Sequence, residues 1–360
     1  MDYQIDLRRV TSPVVPNIDR YVRSTLQTMA TKWLASNEMR QHRKFGTERD
    51  REAAASFLNM RYGKPLEAGR IFLTNGTQNV LFVLLSALAG RGGAILVEEM
   101  TYRQIREVAQ LLGLNLISLA LDDDGVLPEA LEEACKAHSP KVLYCIPTVQ
   151  NPRAMIMSEE RRRSIALIAQ NYGVAIIEDE AQGLIPVDAP APFSAIAPEI
   201  TWTVTGLSKC TLVGLRVAYV VAPSSSTLTS VMTPFESMAF WYTSAVSASV
   251  ITQYIESGLA GSMLASIQAE AAKRQAMARK LLPSTMMRGA NGLHVWMADP
   301  SRTGDQLAAE AARVGVLVRS GSEYAIDSNP LSSGVRISLA DVSESDLSEA
   351  LSRLSVALVR

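Results

Sequence analysis

Cysteine and histidine are scarce in this chain. Cys135, Cys145 and Cys210 are odd in number and unevenly spaced, which supports neither a disulfide framework nor a paired-cysteine metal knuckle. His42, His138 and His294 are equally scattered, with no HExxH pair and no Ser-His-Asp order, so zinc and serine-hydrolase chemistries lack their usual carriers. The longest apolar run, Val80 to Ala89, is too short to span a bilayer and ends at once in Gly90-Arg91-Gly92-Gly93. The amino terminus, Met1 to Asp6, carries acids where a secretion signal needs a basic start and an apolar stretch, so a cytoplasmic protein is expected. Neither sign of charge dominates: a formal net charge of −1 over 360 residues leaves no basic footprint for nucleic acid. The expected partner is a small molecule, with no nucleic acid and no membrane.

What the chain does have is a long, regular alternation. With 48% hydrophobic residues it can bury a large core, in two domains or one large one. Tyr21 to Phe57 reads as mostly helical, with Gly46 as the one break. Ile71–Thr74 is then a short strand, Asn75-Gly76-Thr77 a turn, and Gln78 to Ala89 an apolar helix. Strands are expected at Ala94–Val97, Asn115–Leu119, Lys141–Ile146 and Val174–Ile177. Helices between them are expected at Tyr102–Leu112, Pro128–Ala137 and Ser158–Gln170, the last with Ser158 as its cap. Such spacing means βαβ units and a mainly parallel sheet, which Ile200–Val204 and Arg216–Val221 extend. Beyond Pro234 the strand signal stops. Ser237 to Leu282 reads as one or two helices, broken near Gly258 and Gly261, and marks a domain junction. The remainder is a compact α+β set: Gly292–Met297, a helix over Thr303–Arg313, Val316–Arg319, Gly334–Leu339, and a closing helix capped by Ser343 with Asp346.

Four loops of the alternating region share one position, the carboxyl ends of strands, where α/β proteins build sites. Leu207-Ser208-Lys209 reads as a reactive lysine on a tight loop. Desolvation, or a neighbouring cation such as Arg216, would lower its pKa and make it a nucleophile towards a carbonyl. Gly76, Thr77 and Gln78 open a helix, where backbone N–H groups and the dipole favour a phosphate; an ordinary capped turn has the same pattern. Gln150-Asn151-Pro152 brings an amide, and Asp179 a carboxylate at the end of an apolar strand. A lysine, an acid and a phosphate cradle match the needs of pyridoxal 5′-phosphate.

From about Gly46 to Leu339 this ordered set resembles the fold-type I pyridoxal phosphate enzymes of the class I/II aminotransferase type. It is similar to the aminotransferase-like domains of winged-helix regulators, and a freestanding form of that domain is expected. The resemblance implies a seven-stranded, mainly parallel sheet with helices on both faces and a smaller α+β domain. It implies an amino-terminal segment (1–40) packed on the small domain, a large cofactor domain (41–262) and a small domain (263–360). Lys209 would bond the cofactor, Asp179 would pair with the ring nitrogen, and Asn151 would reach the ring hydroxyl. Tyr102 would stack on the ring, Thr77, Gln78 and Arg216 would hold the phosphate with Gly76 in its cradle, Ser208 and Gln182 would be among the cofactor-binding residues, and Arg336 would grip a substrate α-carboxylate. The implied activity moves an amino group from an α-amino acid to a 2-oxo acid in a homodimer. A lyase, decarboxylase or cyclase acting on an amino acid, or a non-catalytic effector-binding module, are the alternatives. Three positions depart from the family pattern. Gln182 stands where a tyrosine often reaches the ring oxygen, Gly206 replaces a usual serine, and no tyrosine lies between Tyr21 and Tyr62.

Overall fold

Apolar, β-branched runs bounded by turn residues become strands buried on both faces, as helices covering both sides of a sheet require. The computed structural model describes residues 4–16, 18–33, 42–289, 292–327 and 334–358. In chain order the strands are β1 (Ile5–Asp6), β2 (Ile71–Thr74), β3 (Ala94–Glu98), β4 (Asn115–Leu119), β5 (Leu121–Asp122), β6 (Gly125–Val126), β7 (Val142–Cys145), β8 (Ala175–Asp179), β9 (Thr201–Gly206) and β10 (Ala218–Val221). The carboxyl-terminal part adds β11 (Met287–Arg288), β12 (His294–Ala298), β13 (Val316–Leu317), β14 (Arg319–Ser320) and β15 (Gly334–Ser338).

Seven strands form one sheet in the order β2-β10-β9-β8-β7-β3-β4. Only β10 runs against its neighbours; the other pairings are parallel. Alternate residues feed two cores. Leu96, Leu143 and Ile176 belong with Leu131, Ile165 and Phe193 on one side. Val97, Tyr144 and Ile177 belong with Val80, Leu84 and Ile105 on the other. A four-stranded antiparallel sheet, β11-β12-β15-β14, has its own core, in which Val295 and Ile337 pack with Leu307, Leu347 and Leu351. β1 pairs in parallel with β13, placing Ile5 beside Val316. The expected cap of the closing helix forms: the Asp346 N–H donates to Ser343 Oγ at 3.1 Å.

Many boundaries shift by a few residues, and of the helical stretch expected over Tyr21–Phe57 residues 34–41 lie outside those described, the helices on either side being Ile18–Trp33 and Glu48–Tyr62. Four further differences bear on the site or the domain junction. The helix expected from Tyr102 begins at Gln104, because the Thr101 N–H is taken by the Tyr324 carbonyl and Tyr102 lies in the turn before it. The strand expected from Arg216 begins at Ala218, since Arg216 is left-handed (φ 50°). Of the two glycines expected to break the long helical stretch, Gly258 does so at φ 76°, while Gly261 lies within the helix Leu259–Leu281. Val316–Arg319 divides between β13 and β14, which belong to different sheets.

The helix Leu259–Leu281 touches both sheets' surroundings. Gln268 Nε2 donates to the Leu184 carbonyl at 2.8 Å. One turn and more further on, Arg274 Nη1 donates to the Leu339 and Val342 carbonyls at 2.7 and 2.9 Å. Gln275 Nε2 donates to those of Gly292 and His294 at 2.8 and 3.1 Å. Among the described residues no helix is long and apolar enough to cross a membrane.

Candidate active site

The loops after β2, β7, β8 and β9 leave one edge of the seven-stranded sheet, and the turn before the antiparallel β10 returns to it. Together with Arg8–Thr11 and residues of β14 and β15 they enclose a cavity of about 380 Å³. Gly76, Thr77, Gln78, Tyr102, Asn151, Asp179, Gln182, Ser208, Lys209, Arg216 and Arg336 all line it.

Lys209 ends a single 3₁₀ turn that follows the fully buried β9. Its Nζ donates to the Val10 carbonyl of the amino-terminal segment. Burial lowers its pKa to about 8, helped by the positive charge of Arg336, and Asp341 and Asp179 oppose the shift. The assisting cations are therefore Arg336 on β15 and Arg9 of the amino-terminal segment, not Arg216.

Asp179 is the last residue of β8 and is 4% exposed. Its Oδ2 accepts the Tyr144 hydroxyl at 2.8 Å and its Oδ1 accepts the Ala181 N–H at 3.0 Å. Burial lifts this carboxyl to about 6 against the pull of those two donors, so a cation placed beside it would be strongly stabilised. The flanking acids have other partners. Glu178 accepts from the Phe193 N–H and the Thr203 hydroxyl, and Glu180 pairs with Arg61 at 2.7 Å and accepts the Thr148 hydroxyl.

Gly76 precedes the helix Thr77–Ala89 at φ 84°, a conformation that suits glycine, and no side chain caps the helix. A Cβ on Gly76 would lie 3.5 Å from Nη2 of Arg216, so that exposed guanidinium stands beside the uncapped N–H groups. Gln78 Nε2 donates to the Tyr102 hydroxyl at 3.0 Å. Gly206 also has a steric reason, because a Cβ there would come within 2.7 Å of the Thr77 methyl. The missing serine and the threonine present are two sides of one fit.

Arg336 is 7% exposed. Its Nη1 donates to Asn151 Oδ1 at 2.8 Å, its Nη2 to the Arg8 carbonyl at 2.6 Å, and its guanidinium lies 5.2 Å from the Tyr324 ring centre. Its buried Nε has no partner. Because Asn151 Oδ1 receives this bond, the Asn151 amide nitrogen remains as the donor for a ligand.

The sequence marked Gln182 only as a departure, and His294, Glu98 and Tyr144 not as site residues at all. Gln182 Oε1 accepts the Leu293 N–H at 2.8 Å, which fixes its amide orientation. Its Nε2 therefore donates to His294 Nδ1 at 3.1 Å, and His294 Nε2 must carry the proton that faces the Gln150 carbonyl at 3.2 Å. Burial, with Arg336 nearby, lowers the His294 pKa to about 3, so the ring is neutral. Glu98, at the end of β3, accepts from Gln150 Nε2, the Thr101 hydroxyl and the Ile146 N–H, and burial raises it to about 7. His294 and Glu98 thus hold the Gln150-Asn151 turn from two sides. Tyr144, like them, belongs to an ordinary apolar run.

The arrangement fits pyridoxal 5′-phosphate on features of the protein itself. The cradle at Gly76 pairs helix N–H groups that no side chain caps with Arg216, Asp179 is a buried carboxyl on the cavity wall, and Lys209 has a lowered pKa.

Comparison with known proteins agrees. One relative, an uncharacterized HTH-type transcriptional regulator, YdeF, of Bacillus subtilis, is 28% identical over 291 residues. The match covers 79% of this chain and 62% of that protein, so the chain spans less than two thirds of its length. An aromatic amino acid aminotransferase of Schizosaccharomyces pombe (C56E4.03) is 36% identical over 136 residues, 36% of this chain and 29% of that one. An archaeal alanine:glyoxylate aminotransferase has the same fold, with a TM-score of 0.87 at 21% identity over 99% of this chain and 91% of that chain. The family model described as aminotransferase class I and II matches residues 25–354, nearly the whole chain, and the protein belongs to that family.

Proposed function

We propose that the protein is a pyridoxal phosphate-dependent aminotransferase moving an amino group from an α-amino acid to a 2-oxo acid. The observation that carries this reading is the convergence, in one cavity, of a lysine depressed to about 8, a buried carboxyl held by Tyr144, and an arginine bonded to Asn151. When bound, the cofactor supplies an electron sink for the pair left on the substrate α-carbon.

The chain's own residues would do the rest. Gly76, Thr77, Gln78, Ser208 and Arg216 bind the phosphate, Tyr102 packs on the ring, and Asp179 keeps the ring nitrogen protonated. Asn151 donates to the ring oxygen, and Gln182 walls the same end of the cavity. Arg336 holds the substrate α-carboxylate through a planar fork that a lysine could not offer. Lys209 Nζ would be the base that takes the proton from the substrate α-carbon and gives it back.

The division into residues 1–40, 41–262 and 263–360 is part of this reading, supported by the separate core of the four-stranded sheet. So is a homodimer, for which exposed Val213, Met238 and Phe240 offer apolar surface. A cytoplasmic location suits three buried free thiols. The decisive experiment adds single α-amino acids to the cofactor-loaded protein without an oxo acid and follows absorbance. Stoichiometric conversion of bound pyridoxal to pyridoxamine phosphate is expected with at least one donor; loss of carbon dioxide or elimination without that conversion would overturn the reading.

A further inference from the structure

Three residues on the cavity wall hold a buried polar atom that meets no partner among the described residues: Nε of Arg336, the hydroxyl of Tyr324 and Oε1 of Gln104. The first two are donors, and their side chains face each other, with the Arg336 guanidinium 5.2 Å from the Tyr324 ring centre. The third is an acceptor. Tyr324 is 1% exposed, so its hydroxyl has left bulk water without gaining a protein partner, a loss that native proteins avoid unless a ligand or an ordered water makes it good.

The backbone around Tyr324 is pinned. Its carbonyl accepts the Thr101 N–H at 3.1 Å, and its own N–H donates to the Gly321 carbonyl at 2.9 Å. On either side of it Arg106 holds the Glu323 and Ala325 carbonyls, at 2.6 and 2.9 Å. The segment is thus tied to the helix Gln104–Leu112, and the ring is held against Arg336. On the arginine, Nη1 and Nη2 each have a protein acceptor, Asn151 Oδ1 and the Arg8 carbonyl, which leaves Nε as the nitrogen with none.

We propose that the Tyr324 hydroxyl is a second donor to the substrate α-carboxylate, acting beside Arg336. The proposal rests on the aminotransferase reading of this cavity. A carboxylate has two oxygens and only accepts, which is what two neighbouring donors without partners require. An ammonium group would leave the Arg336 donor unmet and add a like charge.

Tyr324→Phe separates this role from a structural one, because it keeps the ring against the guanidinium and removes the hydroxyl alone. The first measurement is denaturant unfolding of the protein without cofactor. A hydroxyl with no partner in the fold costs its desolvation and contributes no bond, so the midpoint of the variant is expected to equal or exceed that of the wild type. A lower midpoint, or a variant that does not fold, would reveal a partner within the protein and overturn the proposal. The second measurement is equilibrium binding of propionate, 3-phenylpropionate and glutarate, carboxylates with no amino group to react, to the pyridoxal phosphate-loaded protein. Those that bind the wild type are expected to bind Tyr324→Phe about tenfold more weakly, the scale of one hydrogen bond to a charged group. Equal affinities would overturn the proposal, and so would failure of all three to bind the wild type. The two readings fail separately: the expected gap with no conversion of any amino donor would sink the aminotransferase reading and keep Tyr324 as a carboxylate donor, whereas conversion of donors with equal affinities would do the reverse.

Discussion

Tyr144 on β7 reaches across to the neighbouring parallel strand and donates its hydroxyl to Asp179 Oδ2 at 2.8 Å. Both groups are buried, so the bond is not replaced by water when it is lost. Tyr144→Phe is expected to destabilise the protein by about 1.5–3 kcal/mol, the range for a hydrogen bond to a charged group. The carboxyl, already near 6, should rise further. Since the ionised form is the one that stabilises a ring cation, the acid limb of kcat/KM should move to higher pH. A variant with the wild-type pH profile would show that Asp179 does not face the ring.

His294 gives a prediction about stability against pH. Its folded pKa of about 3 lies below the usual 6.5, so between these values the unfolded chain binds the extra proton. Its contribution to stability is full above pH 6.5 and is lost as pH falls towards 3. In His294→Gln the fall in melting temperature between pH 6.5 and 4 should be shallower than in the wild type. Parallel curves would mean that the ring is reached by water. Gln182→Ala, which leaves the Leu293 N–H and His294 Nδ1 without their partner, should cost about 1–3 kcal/mol, read by denaturant unfolding.

The contact between Gly206 and Thr77 can be tested by restoring the serine. Gly206 has an ordinary φ of −81°, so the obstacle is the Thr77 methyl alone, at 2.7 Å from the new Cβ. Gly206→Ser should lose about 1–3 kcal/mol through overpacking and bind the cofactor more weakly. Adding Thr77→Ser, which removes the methyl, should recover most of both. If the double variant is as weak as the single one, the glycine is required for some other reason.

For Lys209 the expectation is chemical. With a pKa of about 8, the protein without cofactor should capture the pyridoxal aldehyde at a rate that rises with pH and levels off just above 8, because the neutral amine is the nucleophile. A free lysine would keep gaining until well above pH 10. Lys209→Ala should lose both the visible absorbance of covalently held cofactor and turnover, while retaining the cofactor through the Gly76 cradle. Wild-type turnover in that variant would remove the lysine from the chemistry.

The sheet was legible because its signal is local. Ile71–Thr74 and Asn115–Leu119 appear with the boundaries their apolar runs suggest, and the glycines and strand ends that carry Lys209, Asp179 and Asn151 are marked by neighbours in sequence. The residues that tune those groups are marked by nothing local. Tyr144 is one aromatic in the run Val-Leu-Tyr-Cys, and its role arises only when β7 lies beside β8. Arg336, not Arg216, assists the lysine because the four-stranded sheet turns its β15 towards the cavity. Gln182 was notable as a departure, but its partners Leu293 and His294 are more than a hundred residues away, at a distance that periodicity does not reach.

The helix Leu259–Leu281 has a consequence for how the molecule melts. Its Gln268 satisfies a carbonyl beside the large sheet, while Arg274 and Gln275 satisfy four beside the small one. If either half unfolded alone, this helix would either fray with it or be left with buried donors facing no acceptor, and the surviving half would inherit that penalty. The two sheets should therefore come apart in one cooperative step, giving a single calorimetric peak whose van't Hoff and measured enthalpies agree, rather than the two transitions that separate cores would otherwise allow.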